Sequence, residues 1–231
     1  MTEPVDILVI IAHPDDAEFG VAGSVAHWIG GGLSVAYVVC TSGEKGTSDR
    51  SLTPEALIRI REQEQRAAAD LLGVRTVEFL RYADQGLEDT PAFRKHIVQV
   101  IRTYRPHTVV TTDPYRRYVW HRDHRMIGQV VLDAAFPFAR DHAAYPDLLE
   151  KGLEPHKVKE LLFFGAEEIN FYMDISDTFA QKVAALKCHV SQMRELNVQD
   201  LDGWLRLRYK NLAAQSGYEL AEAFHQVKMP G

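Results

Sequence analysis

Residues 5–16, VDILVIIAHPDD, run apolar without interruption and then end in one imidazole and two carboxylates. A Val, Ile and Leu run closed by a turn predicts a strand buried on both faces, as in a parallel sheet. Strand-like runs at 5–12, 33–41, 74–80 and 107–113 alternate with helical periodicity at about 18–30, 54–72, 91–104 and 124–135. That βαβα order predicts a doubly wound α/β fold, a Rossmann-like three-layer α/β/α sandwich with a mainly parallel sheet. Thr53 before Pro54 and Thr90 before Pro91 each set a capping oxygen ahead of a proline at the first helical position. Beyond about residue 137 the rhythm loosens into a loop rich in Pro, His and Asp. VKELLFFG and NFYMDIS then read as two strands, Ser176 to about Val190 as a helix, and about 200–226 as one more helix. No repeat, low-complexity tract or linker interrupts the chain, so residues 1–231 read as one domain.

In open α/β sheets ligands bind beyond the carboxyl ends of the strands. His13, Asp15 and Asp16 follow the first strand, with Pro14 restricting the turn. DPYRRYVWHRDHR, residues 113–125, follows the strand HTVVTTD, which brings His121, Asp123 and His124 to the same rim. Two histidines and a carboxylate from separate loops form an open metal set that leaves positions for water and substrate, with zinc the first expectation and other divalent metals as alternatives. Either segment alone is a weak signal, because a surface His beside an Asp is usually a solvated pair; together at two strand ends they are strong. A bound zinc polarises a carbonyl and brings the pKa of its water toward about 7. Asp15, next to the expected ligand Asp16, suits the task of taking the water's proton. His121, three residues before the expected ligand His124, suits stabilising an oxyanion and protonating a leaving nitrogen, with Asp123 orienting its ring. The expected reaction is metal-assisted hydrolysis of an amide.

Length and composition narrow the class. The 231 residues are 46% apolar, enough to bury a substantial core. A net charge of -6 argues against a sequence-independent grip on nucleic acid. Cys40 and Cys188 lack the paired spacing of structural zinc and are expected to be reduced and buried. The opening MTEPVD has no basic segment, and no apolar stretch nears the roughly 20 residues that span a bilayer, so a cytoplasmic location without a membrane partner is expected.

On these residues the chain resembles the PIG-L (LmbE-like) zinc-dependent de-N-acetylases, which act mainly on N-acetylglucosaminyl compounds. The resemblance covers most of the chain. Ala12, His13, Pro14, Asp15, Asp16 and Glu18 match the AHPDD motif and its following acid, and His121 to His124 match HxDH. It implies one zinc per chain on His13, Asp16 and His124, with Asp15 as general base and His121 as acid or oxyanion partner. Arg122 stands where the family often has Pro, as in the branch resembling diacetylchitobiose deacetylases. TSGEKGT at 41–47 resembles the family's polar loop, Arg61 with Glu64 its RxxE helix whose Arg contacts substrate, and Asp84 in YADQGL a sugar-binding Asp. His189 in KCHVSQ resembles a His-x-Ser-Gln motif that can enter a neighbouring subunit's site. A sugar substrate and a homo-oligomer, trimer or hexamer, follow from the resemblance.

Structural readings compete with several of these. Glu18 suits a first-turn carboxylate favoured by the helix dipole, and His189 a cation at a helix end. Asp84 suits a plain turn residue, and Arg61, within IRIREQEQR, a solvated helix face. Tyr115, Tyr118 and Trp120 beside Arg116 and Arg117 suit either a sugar-stacking wall, with Arg116 on substrate, or local packing. His27, His96, His107, His142 and His156 read as surface or packing residues. No GxGxxG opens the first helix, which disfavours a dinucleotide cofactor. Two rival functions stand beside the N-deacetylase: a metal-dependent hydratase of an unsaturated dicarboxylic acid, and a non-catalytic sugar-binding protein.

Overall fold

The computed structural model describes residues 3–119 and 121–230. Seven strands, β1 (Ile7–Ile11), β2 (Val35–Thr41), β3 (Thr76–Tyr82), β4 (Thr108–Thr112), β5 (Glu160–Phe164), β6 (Phe171–Asp174) and β7 (Ala221–Lys228), form one sheet ordered β3-β2-β1-β4-β5-β7-β6. The first five pair in parallel, and β7 lies antiparallel between β5 and β6. The helices are α1 (Asp16–Gly20), α2 (Ala22–Gly30), α3 (Pro54–Leu72), α4 (Pro91–Tyr104), α5 (Arg122–Asp133), α6 (Pro146–Glu150), α7 (Phe179–Lys187), α8 (Val190–Leu196) and α9 (Leu201–Leu212).

Alternation along β1 builds the layers. Leu8 and Ile10 join Val38, Ile97 and Ile127 in the core under α4 and α5, while Ile7, Val9 and Ile11 join Val25, Tyr37 and Ala68 under α2 and α3. Every β1 residue is buried, which is why its sequence shows no polar alternation. The two expected caps are made: Thr53 Oγ1 accepts from the Ala56 amide at 3.2 Å and Thr90 Oγ1 from the Phe93 amide at 3.1 Å.

The central pair β1 and β4 sets the position of the site. β2 continues the sheet on the far side of β1 and β5 on the far side of β4, so the strand order reverses between them. The loops leaving β1 and β4 therefore open a crevice at a topological switch point. α5 sits unusually close to the end of β4, because a Cβ on Gly128 would collide with the Thr112 carbonyl oxygen and stand 2.8 Å from Pro114 Cδ.

Three sequence expectations are corrected. The segment 18–30 is two helices that break at Val21 (φ −141°), not one. The helix expected over 176–190 ends at Lys187 and a new helix starts at Val190. The helix expected over about 200–226 stops at Leu212, and residues 221–228 form β7. AEAFHQVK carries helix formers, yet it fills the gap between β5 and β6, where main-chain pairing on both edges outweighs propensity. Cys40 is buried as expected, whereas Cys188 is half-buried; both are free.

The break at Val21 leaves helix-terminal groups inside the protein, and a buried ion pair satisfies them. Lys182 Nζ donates to the Glu18 carbonyl at 2.8 Å, the Phe19 carbonyl at 3.1 Å and Glu222 Oε1 at 2.6 Å. Glu222 also accepts from the amides of Gly23 (3.0 Å) and Ser24 (2.7 Å) in the first turn of α2. α7 and β7 are thereby bolted to the short helix that carries Asp16.

Candidate active site

His13 Nδ1 and His124 Nε2 lie 3.2 Å apart, Asp16 Oδ1 lies 3.0 Å from His124 Nε2, and Asp16 Oδ2 lies 3.4 Å from His13 Nδ1. These separations fit one small ion, since tetrahedral ligation at about 2.1 Å sets neighbouring donors about 3.4 Å apart. The three atoms come from the turn after β1, the first residue of α1 and the first turn of α5. Burial works against a charged Asp16, yet His124 and His13 beside it hold its carboxyl well below the usual carboxylate range.

The opposite nitrogen of His13 is also occupied. Nε2 lies 3.1 Å from Asp84 Oδ1 and 3.3 Å from Asp123 Oδ2, an arrangement that fixes the tautomer presenting Nδ1 to a metal. Asp123 is fully buried and accepts from the amides of Gln85 (2.7 Å) and Leu87 (3.2 Å). Asp84 accepts from the Lys45 amide at 3.2 Å. Burial opposes its ionisation, but His13 outweighs this and brings its pKa down to about 2. Two further donor groups are close enough to hold an ion, His13 with His121 and His124, and His13 with Asp84, His121 and Asp123.

His121 requires a correction. The carboxylate of Asp123 faces His13, and it is the Asp123 amide that donates to His121 Nδ1, at 3.2 Å. His121 is thus the N-cap of α5. An accepting Nδ1 places the proton of the neutral ring on Nε2, which lies 4.0 Å from Asp84 Oδ1. Burial, then the positive charge of His13 and His124, lowers its pKa, so the ring stays neutral and donates from Nε2.

Asp15 adopts φ 101° and ψ −22°, a left-handed conformation that is costly for a residue with a Cβ. Two residues one turn apart on α3 hold it: Gln65 Oε1 accepts from its amide at 3.0 Å, and Arg61 lies 3.4 Å from Asp15 Oδ2. Arg61 also donates to the carbonyls of Gly43, at 2.9 Å, and Pro14. It is 3% exposed, so this guanidinium is engaged by the chain's own loops. Burial pushes the Asp15 pKa up to about 6, against the pull of Arg61.

Glu18 and His189 are both fully buried, with Glu18 Oε2 3.0 Å from His189 Nε2. His189 therefore lies beneath the HPDD turn of its own chain. The rest of the His-x-Ser-Gln segment is a strap: Ser191 bonds Glu64 through its amide (2.7 Å) and hydroxyl (2.6 Å), and Gln192 donates to the Gly46 carbonyl at 3.0 Å.

A cleft of about 820 Å³ opens from Asp16 and His124. Arg116 and Glu167 line one part of it, and Trp204, Leu207 and Arg208 of α9 another. Tyr115 and Tyr118 are 68% and 83% exposed, and Trp120 lies outside the described residues. The α9 wall carries no signal in the sequence, where the segment reads only as part of one more helix over about 200–226.

A family model described as PIG-L: GlcNAc-PI de-N-acetylase matches residues 8–135, more than half of the chain and every residue of the triad. The chain belongs to the PIG-L family. It is 32% identical over 221 residues to the diacetylchitobiose deacetylase of Thermococcus kodakarensis, covering 96% of this chain and 82% of that protein. Its fold matches the N,N'-diacetylchitobiose deacetylase from Pyrococcus horikoshii, solved with the inhibitor MPG, at a TM-score of 0.91; the two are 28% identical, with 97% of this chain and 84% of that one covered. A 4-carboxy-2-hydroxymuconate hydratase from Pseudomonas putida KT2440 matches at a TM-score of 0.79 with 19% identity, over 100% of this chain and 98% of that one. At that identity the likeness concerns the fold alone. The strap at 189–192 and the α9 wall lie beyond residue 135, where the PIG-L match ends.

Proposed function

We propose that this chain is a zinc-dependent N-deacetylase that hydrolyses the acetamido group of a GlcNAc-type sugar or sugar conjugate to amine and acetate. The observation that carries this reading is the pair of adjacent aspartates. Asp16 belongs to the metal triad, while Asp15, turned by a left-handed backbone, stands beside it with a pKa raised by burial to about 6. His13, Asp16 and His124 would hold the ion. When bound there, a divalent cation supplies Lewis acidity and makes a water molecule acidic enough to lose its proton near neutral pH.

Asp15 accepts that proton on its carboxylate as the water oxygen adds to the acetyl carbonyl carbon. His121, neutral and protonated on Nε2, donates a hydrogen bond to the oxygen on which negative charge develops. Asp15 then returns its proton to the sugar nitrogen as the carbon–nitrogen bond breaks. This division gives Asp15 both proton transfers and His121 the oxyanion, which suits a ring whose pKa is lowered rather than raised.

Relatives named as diacetylchitobiose deacetylases support a sugar substrate. The cleft of about 820 Å³ supports one larger than a single ring, with α9 bordering the part beyond the acetamido group. Among the described residues no helix is long and apolar enough to cross a membrane. The deciding experiment is acetate release from N-acetylglucosamine and diacetylchitobiose by protein loaded with one equivalent of zinc, beside Asp15→Ala. Release from the wild type that vanishes in a variant still holding zinc supports the reading. Zinc-loaded protein that releases no acetate from either sugar refutes it for these substrates.

A further inference from the structure

Beneath Asp15 lies a polar network that the proposed chemistry does not touch. Gln65 is fully buried, and it links two groups: Oε1 accepts from the Asp15 amide at 3.0 Å, and Nε2 donates to Glu18 Oε1 and Oε2 at 3.0 and 3.1 Å. Glu18 Oε2 meets His189 Nε2 at 3.0 Å, and all three side chains are closed to solvent. Such a network is stable only when its members satisfy one another, because each unpaired polar group inside costs about 1–3 kcal/mol. His189 Nδ1 is buried without a hydrogen-bond partner among the described residues. The ring is therefore positioned by its bond to Glu18, and nothing on its other side competes for it.

The network ends on a strained peptide of the site. With φ at 101°, Asp15 occupies a region that an L-residue leaves unless its surroundings hold it there. If the Asp15 backbone relaxed, its amide would leave Gln65 Oε1 inside the protein without a donor. Gln65 in turn has little freedom, because both oxygens of Glu18 hold its amide group. His189 Nε2 in turn meets Glu18 Oε2, one of the oxygens that Gln65 holds. The order of support runs from His189 through Glu18 and Gln65 to the backbone of Asp15, with no shared atom in the metal triad.

We propose that Gln65, Glu18 and His189 are positioning residues for Asp15, locking its left-handed backbone so that its carboxylate is aimed at the reacting water, and that His189 acts through this network in its own chain rather than by contact with substrate. The proposal rests on Asp15 being the base. It predicts that loosening the network lowers turnover while leaving metal binding and substrate affinity in place, since a displacement of about 1 Å in a catalytic group costs about a hundredfold in rate.

The test uses zinc-loaded Gln65→Leu, His189→Leu and His189→Gln. The last returns an amide that can donate to Glu18. Four quantities are read: bound zinc, kcat, KM for the best sugar found, and the hydrogen-exchange rate of the Asp15 amide by ¹⁵N-resolved NMR. Gln65→Leu is expected to keep one zinc and its KM, to lose about tenfold to a hundredfold in kcat, and to exchange the Asp15 amide at least about tenfold faster. His189→Leu should change both in the same direction, and His189→Gln should recover most of the loss, which a mere loss of core packing would not do. A folded, zinc-loaded Gln65→Leu with wild-type kcat overturns the proposal. If Gln65→Leu does not fold, the His189 pair decides: equal kcat in His189→Leu and His189→Gln overturns it as well. Should the wild type release no acetate, the deacetylase reading fails by itself, and an Asp15 amide whose exchange is unchanged in either Leu variant overturns the network independently.

Discussion

Replacing Lys182 by methionine tests how the short helix α1 is held. The ammonium is fully buried, donates to Glu222 and to the Glu18 and Phe19 carbonyls, and lies 4.4 Å from the Tyr209 ring centroid. Burial alone would strip its proton, but the Glu222 carboxylate outweighs this and raises its pKa above the ordinary lysine value. Methionine keeps most of the volume and removes every donor. The Phe19 carbonyl still accepts from the Tyr209 hydroxyl, but the Glu18 carbonyl loses its Lys182 donor. Glu222 keeps the amides of Gly23 and Ser24 and loses its countercharge. Removing one partner of a buried ion pair costs about 3–5 kcal/mol. For a chain of this size about 1 kcal/mol moves the melting temperature by about 2–4 °C, so a fall of about 6–20 °C is expected. Urea unfolding followed by circular dichroism gives the free energy, with Glu222→Gln in the same background as the control. That second change removes the uncompensated charge and should recover part of the loss. A cost below about 1 kcal/mol for Lys182→Met would refute the assignment of the pair as the bolt of α1, because no buried charge is left unpaired so cheaply.

Three other perturbations probe separate parts of the site. Asp123→Asn weakens the grip on His13 Nε2 and should lower zinc affinity about tenfold to a hundredfold, measured by competition with a chelator; unchanged affinity would remove Asp123 from that role. Trp204→Ala should raise KM for diacetylchitobiose about eightfold and leave N-acetylglucosamine unaffected, if the indole covers about 50 Å² of the second ring and contributes about 1.2 kcal/mol. Equal effects on both sugars would show that α9 does not border the outer part of the substrate. Gly128→Ala should cost about 1–3 kcal/mol in urea unfolding, because the new methyl meets backbone at Thr112 and Pro114 and α5 must retreat from β4; a wild-type midpoint would mean that this close approach is easily relieved.

The parts of this molecule legible in the sequence were those written in local pattern. β1, β2 and β4 are buried along their whole length and read as largely apolar runs, and His13, Asp16 and His124 follow where two of those runs stop, so the centre of the sheet and the triad could be read together. The supporting residues carried no such mark. Gln65 and Arg61 lie in a stretch of charged and amide side chains that reads as a solvated face, and only the fold shows that α3 turns these two inward onto the HPDD turn. Lys182 and Glu222 are far apart in sequence and each looks like a surface residue; their pairing exists because a helix breaks at Val21 and strands its terminal amides and carbonyls inside. β7 was hidden for a related reason, since its helix-forming residues are overruled by a place between two strands that no local window contains.

Asp15 and Asp16 carry the same side chain on consecutive residues, and their environments drive them in opposite directions. Both are drawn out of water, which disfavours charge, but Asp16 meets two imidazoles and is held ionised, as its proposed place in the metal triad requires. Asp15 meets Arg61 and receives less compensation, and it rises to about 6, in the range where a carboxylate both accepts and returns a proton near neutral pH. The left-handed turn at Asp15 sets its carboxylate beside Arg61, while Asp16, the first residue of α1, meets His13 and His124. A divalent ion on the triad would place positive charge near both carboxylates, so metal binding and the ionisation of Asp15 are linked through a single turn of backbone.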